Sequence, residues 1–218
     1  MSKDDEEYLK NIITLIHIFD AQSVFRKTNP EVVDDLVKKI RIGRISDLWK
    51  EVRKDFIKIT YYPYKIPNVP LLMQLMTYTR LIGLIGLILM LIPIGVRLHP
   101  RMFSMFLILS SPTIILIFLI ITTVGLFSSM ILDIIIRRTI ARHEVKDYKK
   151  YEKSLKLMKD TAQKIIYIFI KEKKRRNVDK VFEVELYHPD YKGIKLVKSV
   201  DRYMKIFKKG YKTYIYHL

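Results

Sequence analysis

The chain has 218 residues, a formal net charge of +18 and no cysteine, and half of its residues are hydrophobic although 28% are charged. The two kinds are segregated, since Arg97 and Arg101 are the only charges between Leu81 and Leu132. This segregation excludes an ordinary soluble protein, and the lack of cysteine excludes disulfides and thiolate chemistry. Abundant Lys and Ile with little Asn and Gln is typical of a thermophile, although an A/T-rich genome favours the same residues.

Residues 1–60 predict a small cytoplasmic bundle of three helices, because apolar side chains recur at helical spacing in each of three segments. Asn29 followed by Pro30 predicts the start of the second helix, and Gly43 is expected to end it. We expect Trp49, in the third helix, to lie in the core of this bundle.

Residues 61–70 predict a linker, because they contain three prolines and no apolar periodicity. The tyrosines of this linker suit the aromatic belt of a membrane interface. The linker therefore separates the bundle from the apolar part of the chain.

Residues 71–136 predict a two-helix transmembrane hairpin. The run 102–132 is uncharged and longer than the roughly 20 residues that one span needs, whereas the first span reaches that length only if it begins before Arg80. Pro112 interrupts the second run, so we expect an interfacial piece over Met102–Ser111 and then the span.

The distribution of basic residues predicts that both termini are cytoplasmic and that the chain is a multi-pass protein of the cell membrane. Lys and Arg crowd both flanks of the hairpin, whereas its connecting loop has only Arg97 and Arg101. The acidic N-terminal residues are unlike a signal peptide, so the first span is expected to direct insertion.

Small side chains predict where the two membrane helices pack together, since small residues let helix backbones approach closely in lipid. The predicted helix-packing residues are Gly83, Gly86, Thr122, Gly125 and Ser129. Asp133 is expected to pair with Arg137, and the absence of a charge at the centre of either span disfavours an ion-coupled transporter.

Residues 137–177 predict a basic cytoplasmic helix that continues the second span, because no Gly or Pro interrupts it. Apolar residues follow heptad spacing at Tyr148, Tyr151, Leu155, Met158, Ala162, Ile165 and Phe169. This stripe predicts self-association through a coiled coil. Packing on the chain's own N-terminal bundle, or on a lipid surface, would explain the same spacing.

Residues 178–218 predict a small basic β-unit, with strands near Val181–Tyr187 and Ile194–Val200 and a hairpin that turns at Lys208–Gly210. The candidate anion-binding residues are Lys173, Lys174, Arg175, Arg176, Lys208 and Lys209. Nucleic acid, anionic lipid or solvent alone would each suit such a surface.

Motifs for catalysis are missing from the sequence: we find no phosphate-binding glycine loop, no zinc-protease helix and no nucleophile elbow. We therefore expect no enzyme, no cofactor and no metal site. The pattern as a whole predicts a membrane scaffold or anchor, a homo-oligomer that recruits a cytoplasmic protein within a larger membrane machine. The alternatives are an oligomeric pore lined by Thr122, Gly125, Ser128 and Ser129, and a membrane tether for nucleic acid or ribosomes.

Overall fold

The computed structural model describes residues 3–98, 111–204 and 209–218, and it describes side chains within 4–92, 111–201 and 212–218. These residues are mainly helical. The helices are α1 (Lys3–Gln22), α2 (Pro30–Ile40), α3 (Gly43–Thr60), α4 (Val69–Leu98) and α5 (Pro112–Arg175), and the strands are β1 (Glu183–Leu186), β2 (Lys195–Met204) and β3 (Lys209–His217).

The chain divides into two compact units that do not follow the order of the sequence. Unit 1 comprises Met1–Tyr62 together with Glu144–Leu218, and unit 2 comprises Pro63–His143. The N-terminal helices therefore share a unit with the C-terminal part of the chain. The domains predicted over 1–60, 137–177 and 178–218 are grouped together by the structure.

The first three helices form as predicted, with one difference at a helix end. The Asn29 side chain accepts a hydrogen bond from the Glu31 backbone N–H at 3.1 Å, and Pro30 occupies the first turn of α2. Arg41, with a left-handed φ of 53°, caps the C-terminus of α2. The prediction that Gly43 ends α2 is wrong, because Gly43 begins α3.

Aromatic side chains build the centre of the N-terminal part of unit 1. The ring of Phe19 lies 6.1 Å from that of Trp49 and 5.6 Å from that of Phe56, in edge-to-face contacts. Trp49 is only 5% exposed, as expected of a core residue. Such contacts add to the stabilisation that burial of the rings provides.

The C-terminal half of α5 completes the same core. The rings of Tyr62 and Tyr151 lie 5.0 Å apart, and the Ser154 hydroxyl donates a hydrogen bond to Asp55 at 2.6 Å. Helix α5 extends without a break over 64 residues, from unit 2 into unit 1. This continuity confirms the prediction made from the lack of Gly and Pro.

The three strands form one antiparallel sheet in the order β1-β3-β2. Glu183 of β1 and Lys195 of β2 both lie opposite His217 of β3. Because β3 already contains Lys209 and Gly210, the turn predicted at Lys208–Gly210 is placed too late. The connection from β2 to β3 falls in 205–208, outside the described residues.

Unit 2 contains α4 and the first half of α5. Val69–Ile92 and α5 are both long and apolar enough to cross a membrane by length and composition. Their large side chains are mostly exposed, for example Ile88 at 61% and Phe127 at 64%, which is compatible with contact with lipid. The interfacial piece predicted over Met102–Ser111 lies outside the described residues except for Ser111.

Candidate functional site

A groove with both polar and apolar lining residues lies in unit 1 between α1 and the sheet. It has a volume of about 450 Å³. Helix α1 contributes one wall, the loop before α2 one edge, and strands β1 and β3 the opposite wall. The residues that line it are Thr14, His17, Ile18, Ala21, Thr28, Glu185, Tyr187 and Thr213.

The groove is close to neutral, with one carboxylate and one imidazole among its lining residues. Burial lowers the pKa of His17, although the nearby Glu185 carboxylate partly offsets this effect. His17 is therefore uncharged at neutral pH. The Thr213 hydroxyl donates a hydrogen bond to Glu185 at 2.5 Å.

A buried carboxylate fixes the wall of the groove in place. Asp20 of α1 is fully buried and accepts hydrogen bonds from the Tyr187 backbone N–H at 2.6 Å and from the Tyr191 hydroxyl at 2.8 Å. Burial raises the pKa of Asp20 to about 6, although both hydrogen bonds oppose this shift. Asp20 thus attaches the segment that follows β1 to the N-terminal helix.

His188, in the same segment, makes a second attachment to α1. The Ser23 hydroxyl donates to the Asp20 carbonyl at 2.5 Å and lies 2.7 Å from the His188 Nε2 atom. Burial and the Lys159 ammonium lower the pKa of His188. The Tyr216 hydroxyl donates to the His188 carbonyl at 2.8 Å, which links the segment to β3.

Helix α5 holds the other side of this segment. Lys159 pairs with Asp190 at 2.6 Å, and the Gln163 amide exchanges two hydrogen bonds with the Lys192 backbone, at 2.8 and 2.9 Å. Gly193 has a φ of 82°, which a side chain would oppose. The segment 187–193 therefore joins α1, α5 and the sheet.

The predicted helix-packing residues lie at the contact between α4 and α5. A Cβ atom on Gly125 would lie only 2.7 Å from the Gly83 nitrogen, and one on Gly86 would lie 2.5 Å from the Thr122 hydroxyl oxygen. Thr122 and Ser129 are buried, at 7% and 5% exposed. The structure thus brings these residues together within one chain.

The residues proposed as a pore lining are mostly buried within this chain. Gly125 and Thr122 contact α4, Ser129 is 5% exposed, and Ser128 is partly exposed. The oligomeric pore stays a prediction.

The heptad stripe is likewise covered by the chain itself. Tyr151, Leu155, Met158, Ala162, Ile165 and Phe169 are each at most 3% exposed. Tyr148 is half exposed and does not belong to the core. The stripe packs within unit 1, which was one of the three alternatives. Self-association through this stripe stays a prediction.

The basic cluster at the end of α5 is largely engaged within unit 1. Arg176 pairs with Asp5 and lies over the ring of Tyr8 at 3.8 Å, and Arg175 pairs with Glu172 at 2.6 Å. Lys173 donates to the Leu218 carbonyl at 3.0 Å.

Of the remaining candidate anion-binding residues, Lys174 is exposed. Lys208 and the side chain of Lys209 lie outside the described residues. Two of the six predicted anion-binding residues are thus in ion pairs within unit 1, and a third forms a hydrogen bond there. Anion binding by this cluster stays a prediction.

Asp20, His17 and Glu185 did not stand out in the sequence. Asp20 follows Phe19 inside an apolar helical run, and a carboxylate in such a position is the signal that could have indicated a buried polar partner. That partner lies in the segment 187–193, far along the chain.

Among the described residues, no group of three or more His, Asp or Glu side chains is arranged to hold a metal ion. Comparisons of the chain with protein-family models, with curated proteins and with solved structures find no significant match. Its function is therefore inferred from its own residues.

Proposed function

We propose that this chain is a non-enzymatic integral membrane anchor whose two flanking segments form one cytoplasmic unit, and that this unit recruits or assembles a protein partner within a larger membrane machine. The observation that carries the proposal is the shared core of Met1–Tyr62 and Glu144–Leu218. Segments that share a core lie on the same side of a membrane. The apolar residues between them must then enter and leave the bilayer on that side, as a hairpin does.

Contacts between the flanks are numerous and varied enough to make this constraint strong. They include the Tyr62 hydroxyl, which donates to Asp147 at 3.0 Å, and the ion pair of Lys180 with Glu6 at 2.7 Å. Asp20 adds two buried hydrogen bonds to the opposite flank. An arrangement with the flanks on opposite faces would lose all of these contacts. The excess of Lys and Arg on the flanks supports the cytoplasm as their side.

The groove supports a protein as the partner. The His17 imidazole, the threonine hydroxyls and the Glu185 carboxylate can hydrogen-bond to a peptide. The one cation recorded beside a lining residue is Arg26, whose guanidinium lies over the Tyr187 ring at 5.9 Å among the described residues. The engagement of Arg175 and Arg176 in internal ion pairs weakens the case for a nucleic-acid tether.

Two measurements on the full-length chain test the proposal. An integral anchor should stay in the membrane pellet after extraction at alkaline pH, and release into the supernatant would contradict the hairpin. A photoreactive amino acid at Thr14, in the groove, should crosslink one discrete protein in native membranes. The same amino acid at Glu51, an exposed position outside the groove, is the matched control. Identical crosslinking from both positions would contradict a partner bound in the groove.

A further inference from the structure

The glycine contacts set the register of the hairpin within unit 2. Gly125 lies against Gly83, and Thr122 lies against Gly86, so the two helices run antiparallel with paired positions along their length. Continuing this register places Arg80 of α4 level with Ser128 and Ser129 of α5.

Arg80 lies well inside the apolar part of this hairpin. Arg137, the first basic residue after the second apolar run, is eight residues beyond Ser129, which corresponds to about 12 Å of helix. A hydrocarbon core is about 30 Å thick, so Arg80 would lie near the depth at which a charge is most costly. This position differs from the expectation that neither span has a charge at its centre. Its side chain is exposed on the surface of the hairpin.

The direction of the Arg80 side chain follows from helix geometry. Side chains lean toward the N-terminus of a helix, and the N-terminus of α4 is the end nearest the flanks. Thr77, three residues before Arg80, is exposed about 60° around α4 from it, whereas Gln74 lies about 120° away. Arg80 therefore extends past Thr77 toward the cytoplasmic headgroups.

The described residues of unit 2 supply no free anion for this guanidinium. Residues 63–143 contain a single acidic residue, Asp133, and it pairs with Arg137 at 2.7 Å. Among the described residues, none forms a hydrogen bond or ion pair with the Arg80 side chain.

We propose that Arg80 binds the phosphate group of an anionic phospholipid from the cytoplasmic leaflet, so that the first membrane helix carries a lipid-binding site. This inference rests on the proposed function, since it requires the hairpin to lie in a bilayer. Phosphate is the anion that the leaflet supplies, and arginine forms paired hydrogen bonds with it.

The experiment counts lipids that stay bound to the full-length chain. The chain is reconstituted in a bilayer of phosphatidylcholine and phosphatidylglycerol, released into the gas phase, and weighed by native mass spectrometry. The wild-type chain should retain one more phosphatidylglycerol than Arg80→Gln. Arg80→Lys should keep that lipid because the charge remains. Arg44→Gln, which removes an exposed arginine from unit 1, should retain the wild-type number.

Equal lipid retention by the wild-type chain and Arg80→Gln would overturn the inference. Loss of a protein subunit instead of a lipid would also overturn it, because Arg80 would then pair with an acidic residue of another membrane protein. Alkaline extraction of the same variants separates this failure from failure of the anchor itself. A chain that stays in the membrane but shows no lipid difference refutes only the site at Arg80.

Discussion

The buried carboxylate of Asp20 should make the stability of unit 1 fall as the pH rises, and Asp20→Asn isolates this effect. Asparagine keeps an oxygen that can accept from the Tyr187 N–H, and its amide can donate to the Tyr191 hydroxyl oxygen. The substitution therefore preserves the attachment of the segment 187–193 and removes only the titrating group.

The direction and size of this change in stability follow from the pKa of Asp20. Burial raises it from 3.8 to about 6, so the folded chain holds this proton more tightly than the unfolded chain. The stabilisation that comes from this tighter proton binding is fully present below pH 3.8, and it is lost as the pH rises through about 6. The difference between the two pKa values corresponds to about 3 kcal/mol.

The assay is urea unfolding of the full-length chain in detergent, followed by tryptophan fluorescence. Trp49 is the sole tryptophan and is buried in unit 1, so its emission reports on this unit. His17 and His188 have lowered pKa values and should raise stability as the pH rises toward their ordinary value of 6.5, which opposes Asp20. The informative quantity is therefore the difference in unfolding free energy between the wild-type chain and Asp20→Asn. It should fall by about 3 kcal/mol between about pH 4 and about pH 7.

Asp190→Asn is a matched control in the same segment. Lys159 holds the pKa of Asp190 below its ordinary value, so the stabilisation by this carboxylate is present above that value and is lost as the pH falls. The difference in unfolding free energy between the wild-type chain and Asp190→Asn should therefore rise with pH. A constant difference for Asp20→Asn over the whole range would refute the buried, proton-binding carboxylate.

Two further substitutions, each with a control, test the packing inside unit 2 and inside unit 1. Gly125→Leu forces a side chain against the Gly83 backbone and should cost about 1–3 kcal/mol, which lowers the aggregation temperature in detergent. Gly43→Ala, at a position with no atom near its Cβ, should leave that temperature unchanged. Leu155→Ala should destabilise unit 1 by about 2–5 kcal/mol in the fluorescence assay, whereas the exposed Lys156→Ala should change its stability by less than about 0.5 kcal/mol. A mild effect of Leu155→Ala on unit 1, together with loss of an oligomer, would favour the coiled coil instead.

Local patterns were sufficient to predict the helices and the apolar stripe. The spacing of Tyr151, Leu155 and Met158 identifies one helix face, because 3.6 residues per turn fix which side chains share it. The same spacing does not identify what covers that face. Tyr62 contacts Tyr151 from almost ninety residues earlier in the chain, and no local periodicity records such a partner.

The groove could not be predicted from the sequence for the same reason. Each of its residues is ordinary in its own segment, and the site arises only when the segment after β1 docks on α1 through Asp20. The end of α2 was missed because Arg41 adopts a conformation that the sequence assigned to a glycine. The packing of the hairpin was easier to anticipate, since Gly83 and Gly125 have no other evident role in an apolar helix.

Accessibility of single cysteines in sealed cells tests most directly whether both flanks form one unit on the cytoplasmic side. The chain has no cysteine, so each variant carries one thiol. Lys50→Cys and Lys153→Cys report on exposed positions of the two flanks, and His99→Cys reports on the segment that joins the two apolar runs. An impermeant maleimide should label His99→Cys in intact cells, and the other two variants only after the membrane is opened. Labelling of one flank but not the other in intact cells would place them on opposite faces and contradict the shared core.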